Sequence, residues 1–328
     1  MTADAPAAVR DLERIGARPR PGAYETYWHF INERLKIYMG RQQGEPAPWT
    51  DDPILQTYKF TNVFRASDRV TQYLIKDICY SGESGPDLTF QIAAFRTFSR
   101  IETWEHLKEV LGGPPRLSHL EDGSLEGALT SMRDRGEKIY TGAFILCAND
   151  AYGRRIKHLN HLELFRAMFL DGDLHRQVVE ASSLAEVYDA LHAYPLMGDF
   201  MSYQTAIDLN YSELIDFSEN EFTKAGPGAV RGINKIFELE RKASPEAVIR
   251  WVVENQEAEM ERLGHDFDGL HGRLLQAIDA QNCFCESDKY LRVSMPELQS
   301  ARKRIKAKFV VNSTKIPYFY PPKWGLDY

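Results

Sequence analysis

The spacing of the apolar residues is the feature of this sequence that most constrains its fold. In most segments they recur at intervals of three and four residues, as Trp28, Ile31, Leu35 and Met39 do. Residues at these intervals lie on one face of an α-helix, and no run shows the period-two alternation of a half-buried strand. The sequence therefore predicts an all-α fold with about ten or more helices.

Prolines and glycines divide the chain into these helices. The three prolines in residues 44–53 and the run Gly112-Gly113-Pro114-Pro115 end helices. Ser244-Pro245 places a cap and a first-turn proline ahead of a later helix. A break is expected near Ser99. The apolar segment 141–148 fits either a buried strand or a buried helix.

Length and composition fit one large globular domain or two modest ones. The chain has 328 residues, 43% apolar and 27% charged, which is enough for a packed core. We expect residues 1–22 to be a flexible lead-in and residues 23–328 to form a single helical domain. A boundary between two lobes of this domain is possible near residues 135–150. The formal net charge of −7 excludes a generally basic nucleic-acid-binding protein, though not a local basic groove.

The use of cysteine and histidine indicates neither disulfides nor a metal site. Cysteines are too few and too irregular for a disulfide framework. Cys283-x-Cys285 lacks a second pair, and His158-x-x-His161 lacks a glutamate at metalloprotease spacing, so we expect no metal and no cofactor. Without a leader-like segment or about 18 consecutive apolar residues, the sequence favours a cytoplasmic protein that is not bound to a membrane. The other two cysteines are Cys79 and Cys147.

A turn rich in helix-breaking residues lies within residues 193–203 (AYPLMGDFMSY). One helix is expected to end at Pro195 and the next to begin just after Gly198. A glycine at this place lets a tight turn present backbone N–H groups at a helix N-terminus, which suits a phosphate. An ordinary connection between helices has the same pattern.

An acidic segment follows at residues 212–222 (SELIDFSENEF). Its carboxylates, among them Asp216 and Glu219, would repel DNA phosphates unless they had a chemical use. One use is to stabilise positive charge at C1′ of a nucleotide or to activate water there. The alternative is a solvated helix N-terminus, where acidic side chains suit the helix dipole.

Glycines and basic residues supply further candidate contacts to phosphate. Gly226, Gly228 and Arg231 in the segment 226–232 (GPGAVRG) fit an anion-binding nest or a simple capping turn, but not a Walker loop. Basic and polar side chains elsewhere could hold phosphates and stack on a base, or form ion pairs and solvated helix faces. These are Asn62, Arg65, Arg69, Arg100, Arg154, Arg155, Lys157, Lys289 and the basic segment 301–308.

Six blocks of sequence carry a resemblance to a known family. They are Tyr27–Arg34 (YWHFINER), Pro48–Leu55 (PWTDDPIL), Phe60–Val70 (FTNVFRASDRV), Arg100–Trp104 (RIETW), Gly226–Ala229 (GPGA) and Cys285–Tyr290 (CESDKY). From about Tyr24 to Lys308 the chain resembles the helical domain of 5-hydroxymethyluracil DNA kinases, a domain that also occurs in α-glutamyl/putrescinyl thymine pyrophosphorylases. The resemblance implies action on DNA bases, with modified pyrimidines such as those of phage genomes as substrates.

That family is in turn similar to the helix-hairpin-helix DNA glycosylases, which implies two helical lobes around a DNA-binding cleft. In those enzymes a glycine-containing hairpin contacts DNA phosphates and a catalytic aspartate follows downstream. Here Leu196-Met197-Gly198 takes the hairpin position, with one glycine where the glycosylases usually have two. Glu219 lies 21 residues after Gly198 and Asp216 lies 18 after it, and Asp208 is a third candidate for the acid.

The resemblance leaves three functions open. The first, favoured because the sequence shows no kinase P-loop and glycosidic cleavage needs only a carboxylate, a water and a gripped base, is a DNA glycosylase. It would flip out and excise a hypermodified pyrimidine, such as a glucosylated hydroxymethyl base, as a defence against phage, with one of these carboxylates acting at C1′. Arg65, Arg69 and Arg100 would hold the flanking phosphates or the modification. The second function is a transferase that replaces a phosphate or pyrophosphate on a hydroxymethyl pyrimidine with an amine. The third is a non-catalytic protein that binds modified DNA. The partner is DNA with modified bases in each case, and no protein partner is indicated.

Overall fold

A computed structural model describes residues 7–142, 150–298, 307–310 and 318–328. Within them, fifteen α-helices contain more than half of the chain, and the strands form one two-stranded sheet. The predicted all-α fold is confirmed. Most of the apolar segment 141–148, with Cys147, and most of the basic segment 301–308 lie outside the described residues.

The helices and strands follow one another along the chain with short connections. Up to residue 142 they are α1 (Ala7–Arg14), β1 (Ala17–Pro19), α2 (Ala23–Gln43), α3 (Pro53–Thr57), α4 (Arg69–Leu74), α5 (Gly85–Phe98), α6 (Ile101–Leu111), α7 (Leu117–Glu121) and α8 (Ser124–Asp134). After residue 150 they are α9 (Lys157–Phe169), α10 (Leu174–Val179), α11 (Leu184–His192), α12 (Asp199–Tyr211), α13 (Pro227–Ile236), β2 (Phe237–Leu239), α14 (Pro245–Arg262) and α15 (Ala277–Ser294). Short 3-10 turns lie at Arg65–Ser67 and Pro322–Trp324, and a π-helical turn lies at Ile75–Cys79.

The chain forms two compact units. The first contains residues 1–68, 223–318 and 325–328, and the second contains residues 69–222 and 319–324. Residues 135–150, where the sequence suggested a lobe boundary, lie between α8 and α9 in the chain and belong to the second unit. The lobe boundary there stays a prediction.

In the first unit, α2 lies in an aromatic core. Tyr27 on α2 stacks on Phe284 of α15 with ring centroids 4.3 Å apart, and Trp28 is completely buried. Strand β1 pairs antiparallel with β2, Ala17 opposite Leu239, so a part of the expected flexible lead-in is hydrogen-bonded into this unit.

Helices α13 and α15 of the first unit pack very closely. Gly228 and Gly232 lie one turn apart on α13 and face α15. A Cβ atom at Gly232 would overlap the Phe284 carbonyl group, and one at Gly228 would overlap the Cys285 sulfur. Close packing of the two helices therefore explains why both positions are glycine.

In the second unit, α5 and α12 pack against each other around a buried ion pair. The Arg96 guanidinium donates two hydrogen bonds to the Asp208 carboxylate, and both side chains are shielded from solvent. Helix α5 ends at Phe98 because Ser99 takes a left-handed conformation (φ 46°), and α6 begins at Ile101. The break predicted near Ser99 is confirmed.

Candidate functional site

The first unit contains a cavity of about 340 Å³ beside α2 and α3. Its walls are mostly aromatic and aliphatic, and two arginines, Arg34 and Arg41, also line it. Pockets that bind small molecules span roughly 300–1,000 Å³, so this cavity has the size of a site for one small ring system. The aromatic residues in its wall are Trp49, Tyr58, Phe60 and Phe309.

The sequence around residues 34–58 builds this cavity locally. Arg34, Ile37 and Arg41 recur at intervals of three and four, so one face of α2 supplies them. The helix ends at Gly44 in a left-handed conformation, and the prolines that follow keep the chain out of helix until α3. Within this loop the Trp49 indole N–H donates to the Glu45 carbonyl oxygen at 2.8 Å, which fixes the ring in the cavity wall.

The charge of the cavity is positive. None of the described residues that line it carries a carboxylate. The Arg41 guanidinium lies over the Trp49 ring, 5.4 Å from the ring centroid. Burial lowers the pKa of Arg34 to about 10, which still leaves this side chain protonated at neutral pH. A planar, electron-rich group or an anion fits such a lining best.

Backbone and side-chain acceptors hold the Arg34 guanidinium in place. Its Nε donates to the Thr61 carbonyl oxygen at 3.0 Å. Its Nη2 donates to the Phe60 carbonyl oxygen and to the Asn62 side-chain oxygen. Its Nη1 is buried and has no hydrogen-bond partner among the described residues. A buried donor of this kind is uncommon in folded proteins, since most are paired.

Three carboxylates, two of them buried and that of Asp68 half-buried, hold the segment Thr61–Arg65 behind the cavity. Glu286 accepts from the Thr61 backbone N–H at 3.0 Å and Asp68 from that of Asn62 at 3.0 Å. Asp279 accepts from the Arg65 backbone N–H at 2.7 Å. Burial raises the pKa of both Asp68 and Asp279 to about 6.

Asn62 and Arg65, which the sequence suggested as DNA contacts, thus belong to a buried network. The Asn62 side chain donates to the Ser67 carbonyl oxygen at 2.7 Å and accepts from Arg34. Both residues are more than nine-tenths buried. Lys289 lies at the same network, where its ammonium group donates to Glu286. The structure therefore brings these three predicted residues together, while their contact with DNA stays a prediction.

The GPGAVRG segment of the first unit has internal partners as well. The Gly226 backbone N–H, which an anion-binding nest would need, donates to the Gln281 side chain at 2.9 Å. Arg231 lies 3.3 Å from Asp288, to which Lys235 and Arg292 are also paired. With the packing of Gly228 against α15, these contacts give the segment a structural explanation. Binding of an anion there stays a prediction.

The second unit contains the three candidate catalytic carboxylates in different environments. Asp208 is paired with Arg96 inside the unit. Glu219 is buried, with 4% of its surface exposed. Asp216 is 79% exposed at its side chain and lies 3.3 Å from the Lys323 ammonium group. The sequence put Glu219 and Asp216 ahead of Asp208 without deciding between them, and the structure separates the three by burial and by partner.

The hairpin between α11 and α12 contains Leu196 and Gly198. Leu196 takes a left-handed conformation (φ 73°), which is uncommon outside glycine. Gly198 precedes α12 with φ −75°, is exposed, and has open space where a Cβ would lie. Neither backbone conformation nor packing therefore requires glycine at position 198, and its predicted contact with phosphate stays a prediction.

The remaining basic candidates of the second unit mostly form local contacts. Arg69 and Arg100 both lie near Glu102, at 4.0 and 3.5 Å, and Arg100 also donates to the Lys138 carbonyl oxygen. Arg154 pairs with Glu163 at 2.6 Å. Lys157 places its ammonium group 4.3 Å from the Tyr140 ring centroid, and Arg155 is exposed.

Arg34, Arg41, Trp49 and Tyr58 are the candidate site residues that sequence reasoning missed. Arg34 and Trp49 lie in blocks that carry the family resemblance, YWHFINER and PWTDDPIL. The signal that could have found the arginines is their interval of seven residues, which places two cations on one face of a predicted helix.

The described residues contain no group of three or more His, Cys, Asp or Glu side chains that could hold a metal ion. No helix among them combines the length and the apolar character that crossing a membrane would need.

Comparison with known proteins identifies the family. The model of the 5-hmdU DNA kinase helical domain matches residues 21–300. The chain belongs to this family. The 5-hmdU DNA kinase of Bacillus phage SP10 is 28% identical over 337 residues, which is 94% of this chain and 52% of the relative. The chain thus spans about half the length of this curated relative. No solved structure matches.

These matches confirm the resemblance and correct the function inferred from it. Both are to DNA kinases, which transfer a phosphoryl group, so the glycosylase hypothesis, a hydrolase reaction, is wrong. The role in glycosidic cleavage that the sequence assigned to Glu219, Asp216 or Asp208 falls with it. The transferase alternative was closer, since a kinase is a transferase. The likeness to helix-hairpin-helix glycosylases and the DNA-binding cleft stay predictions.

Proposed function

We propose that this chain binds DNA containing 5-hydroxymethyluracil and takes part in phosphorylating the hydroxymethyl group. The observation that carries the proposal is the family match over residues 21–300, together with the relative named as a 5-hmdU DNA kinase. The substrate is DNA with a modified base, as the sequence suggested. We place the protein in the cytoplasm, a reducing compartment in which its three described cysteines, none in a disulfide, would persist as thiols.

In phosphoryl transfer the hydroxymethyl oxygen would attack the terminal phosphorus of a nucleoside triphosphate. The bond from that phosphorus to the β-phosphate oxygen would break, the nucleoside diphosphate would leave, and the hydroxyl proton would be released. Protein catalysis of this reaction consists mostly of positioning and of charge stabilisation. The printed sequence contains no Gly-Lys-Ser/Thr loop for the phosphates of the donor. We therefore assign to the described residues the DNA side of the reaction, namely recognition and positioning of the modified base.

Two measurements with the purified chain test this function. The first is the affinity for matched oligonucleotides that contain either one 5-hydroxymethyluracil or one thymine. The second is mass spectrometry of the nucleosides after incubation with ATP and Mg²⁺. We expect preferential binding of the modified oligonucleotide. We expect no gain of a phosphoryl group with this chain alone, because the proposal assigns it the DNA side of the reaction.

The other functions give different results in the same experiments. Alkali-labile breaks at the modified position would indicate base excision and would contradict the proposal. A gain of one phosphoryl group on the modified nucleoside would contradict the restriction of this chain to the DNA side of the reaction. Equal binding of both oligonucleotides would overturn the proposal as a whole.

A further inference from the structure

We propose that the cavity lined by Arg34, Arg41 and Trp49 receives the modified pyrimidine after it leaves the base stack. This inference rests on the proposed function and adds to it a place for the substrate. An enzyme that acts on a base within a duplex must bring that base out of the helix into a pocket. The pocket must then offer a surface for stacking and donors for the substituent at C5.

The aromatic walls supply the stacking surface. Trp49, Tyr58 and Phe60 line the cavity, and hydrogen bonding to Glu45 fixes the Trp49 ring. A base stacks on aromatic side chains irrespective of its identity, because each base has a π face. Stacking of this kind explains how the cavity would hold a pyrimidine, but it does not distinguish the hydroxymethyl group from a methyl group.

Arg34 supplies the distinction. Its Nε and Nη2 are occupied by the carbonyl oxygens of Thr61 and Phe60 and by Asn62, while its Nη1 has no partner among the described residues. The hydroxymethyl oxygen can accept from such a donor, whereas the methyl group of thymine cannot. A site that hydrogen-bonds a substrate hydroxyl group discriminates strongly against the analogue that lacks it, because the donor of the site is then left unpaired.

The absence of acidic side chains among the described lining residues fits the product as well. A phosphomethyl group carries about two negative charges near neutral pH. Arg41, half-buried at the cavity and above Trp49, is placed to offset this charge. Asn62 is then a positioning residue, since it holds the Arg34 guanidinium and does not itself line the cavity.

The test uses two variants at half-buried positions, Trp49→Leu and Arg41→Gln, and a matched control, Arg18→Gln. Arg18 lies in the same unit but is exposed on β1 and pairs only loosely with Glu240, at 3.6 Å. Binding of the hydroxymethyluracil and thymine oligonucleotides is measured by fluorescence anisotropy for each protein. Circular dichroism and the melting temperature verify that each variant folds.

We expect Trp49→Leu to weaken binding of the modified oligonucleotide by about tenfold, the size of one lost base–aromatic stack. Arg41→Gln should weaken it by about fivefold, and binding of the thymine oligonucleotide should change less than about twofold, since an unmodified base would stay in the duplex. Arg18→Gln should behave as the wild type.

Two results would overturn the inference without touching the proposed function. One is a wild-type preference for the modified oligonucleotide that both cavity variants retain, which would place the base elsewhere. The other is competition at the Trp49 site by AMP in preference to 5-hydroxymethyl-dUMP, which would assign the cavity to the phosphate donor. If the wild type itself shows no preference between the oligonucleotides, the proposed function fails, and the inference fails with it.

Discussion

Two sites, one in each unit, hold buried carboxylates in opposite ways. In the second unit, Asp208 faces Arg96, and the two ionic side chains satisfy each other. In the first unit, Asp68, Asp279 and Glu286 accept mainly from backbone N–H groups, while Arg34 donates to backbone carbonyl oxygens. A closed pair leaves nothing for a ligand. The open arrangement of the first unit leaves Arg34, a residue that lines the cavity, with one buried guanidinium nitrogen that has no partner among the described residues, which is why we place the candidate site there.

Breaking the closed pair should have the largest effect. We expect Asp208→Ala to lower the free energy of unfolding by about 3–5 kcal/mol, because it leaves the Arg96 charge buried without its partner. Urea unfolding monitored by circular dichroism measures the loss. Asp216→Ala, at a side chain that is 79% exposed, is the control and should change the free energy by less than about 1 kcal/mol.

A double variant shows whether the pair is needed for stability as such. Arg96→Met with Asp208→Leu removes both charges and should recover most of the stability lost in Asp208→Ala. A double variant that is as unstable as Asp208→Ala would mean that geometry around the pair, and not an isolated charge, accounts for the loss.

The glycines of the two units give the second contrast. Gly232→Ala should lower the free energy of unfolding by about 3 kcal/mol, the upper end for overpacking, because its Cβ would overlap the Phe284 carbonyl group and force α13 away from α15. Gly127→Ala, inside α8 of the second unit, meets nothing within 4 Å and should be stabilising by about 0.5–1 kcal/mol. The same thermal and urea unfolding experiments compare both. Equal effects at the two positions would argue against close packing of α13 on α15.

Local sequence patterns predicted the helical fold and several helix ends. Ser244 caps α14 as expected, its hydroxyl oxygen accepting from the Ala247 backbone N–H. The cavity could not be predicted in this way, because Phe309 is distant from Arg41 and Trp49 in the sequence and lies beside them only in the folded chain. The partners of the Thr61–Arg65 segment are equally remote, since Asp279 lies 214 residues from Arg65. Sequence reasoning therefore selected Asn62 and Arg65 and kept an internal network as the alternative to DNA contact, but it could not name the partners in that network.

The wrong function has a related physical cause. Acidic residues downstream of the hairpin were candidates because a carboxylate can stabilise positive charge at C1′. In a sequence, a carboxylate that neutralises a buried arginine, as Asp208 does, has the same appearance as one that faces a substrate. The resemblance led to kinases and, through them, to glycosylases. The missing kinase P-loop, together with the small set of groups that glycosidic cleavage needs, favoured excision, and the family match corrects this choice.

The buried carboxylates of the first unit should produce the smallest effect, one that depends on pH. Because burial raises the pKa of Asp68 to about 6, the folded state retains a proton that the unfolded state releases near pH 4. The contribution of Asp68 to the free energy of unfolding is therefore largest below about pH 4 and falls as the pH rises to about 6. Asp68→Asn removes the titration and keeps an oxygen that can accept from the Asn62 backbone N–H. We expect its stability relative to wild type to increase by about 2 kcal/mol between pH 4 and pH 7.

Asp52 in the same unit provides the matched control with the opposite sign. Burial acts to raise its pKa, but hydrogen bonds from His29, Tyr290 and the backbone N–H groups of α3 outweigh burial and hold the pKa at about 2. Stability from Asp52 is thus present above about pH 4 and lost as the pH falls toward 2. Asp52→Asn should therefore be destabilised at neutral pH, and its difference from wild type should shrink on acidification. Urea unfolding from pH 3 to pH 7 measures both variants. The surroundings of Asp68 disfavour its ionised form, whereas those of Asp52 favour it. If the stabilities of Asp68→Asn and Asp52→Asn changed with pH in the same direction, this difference would be contradicted.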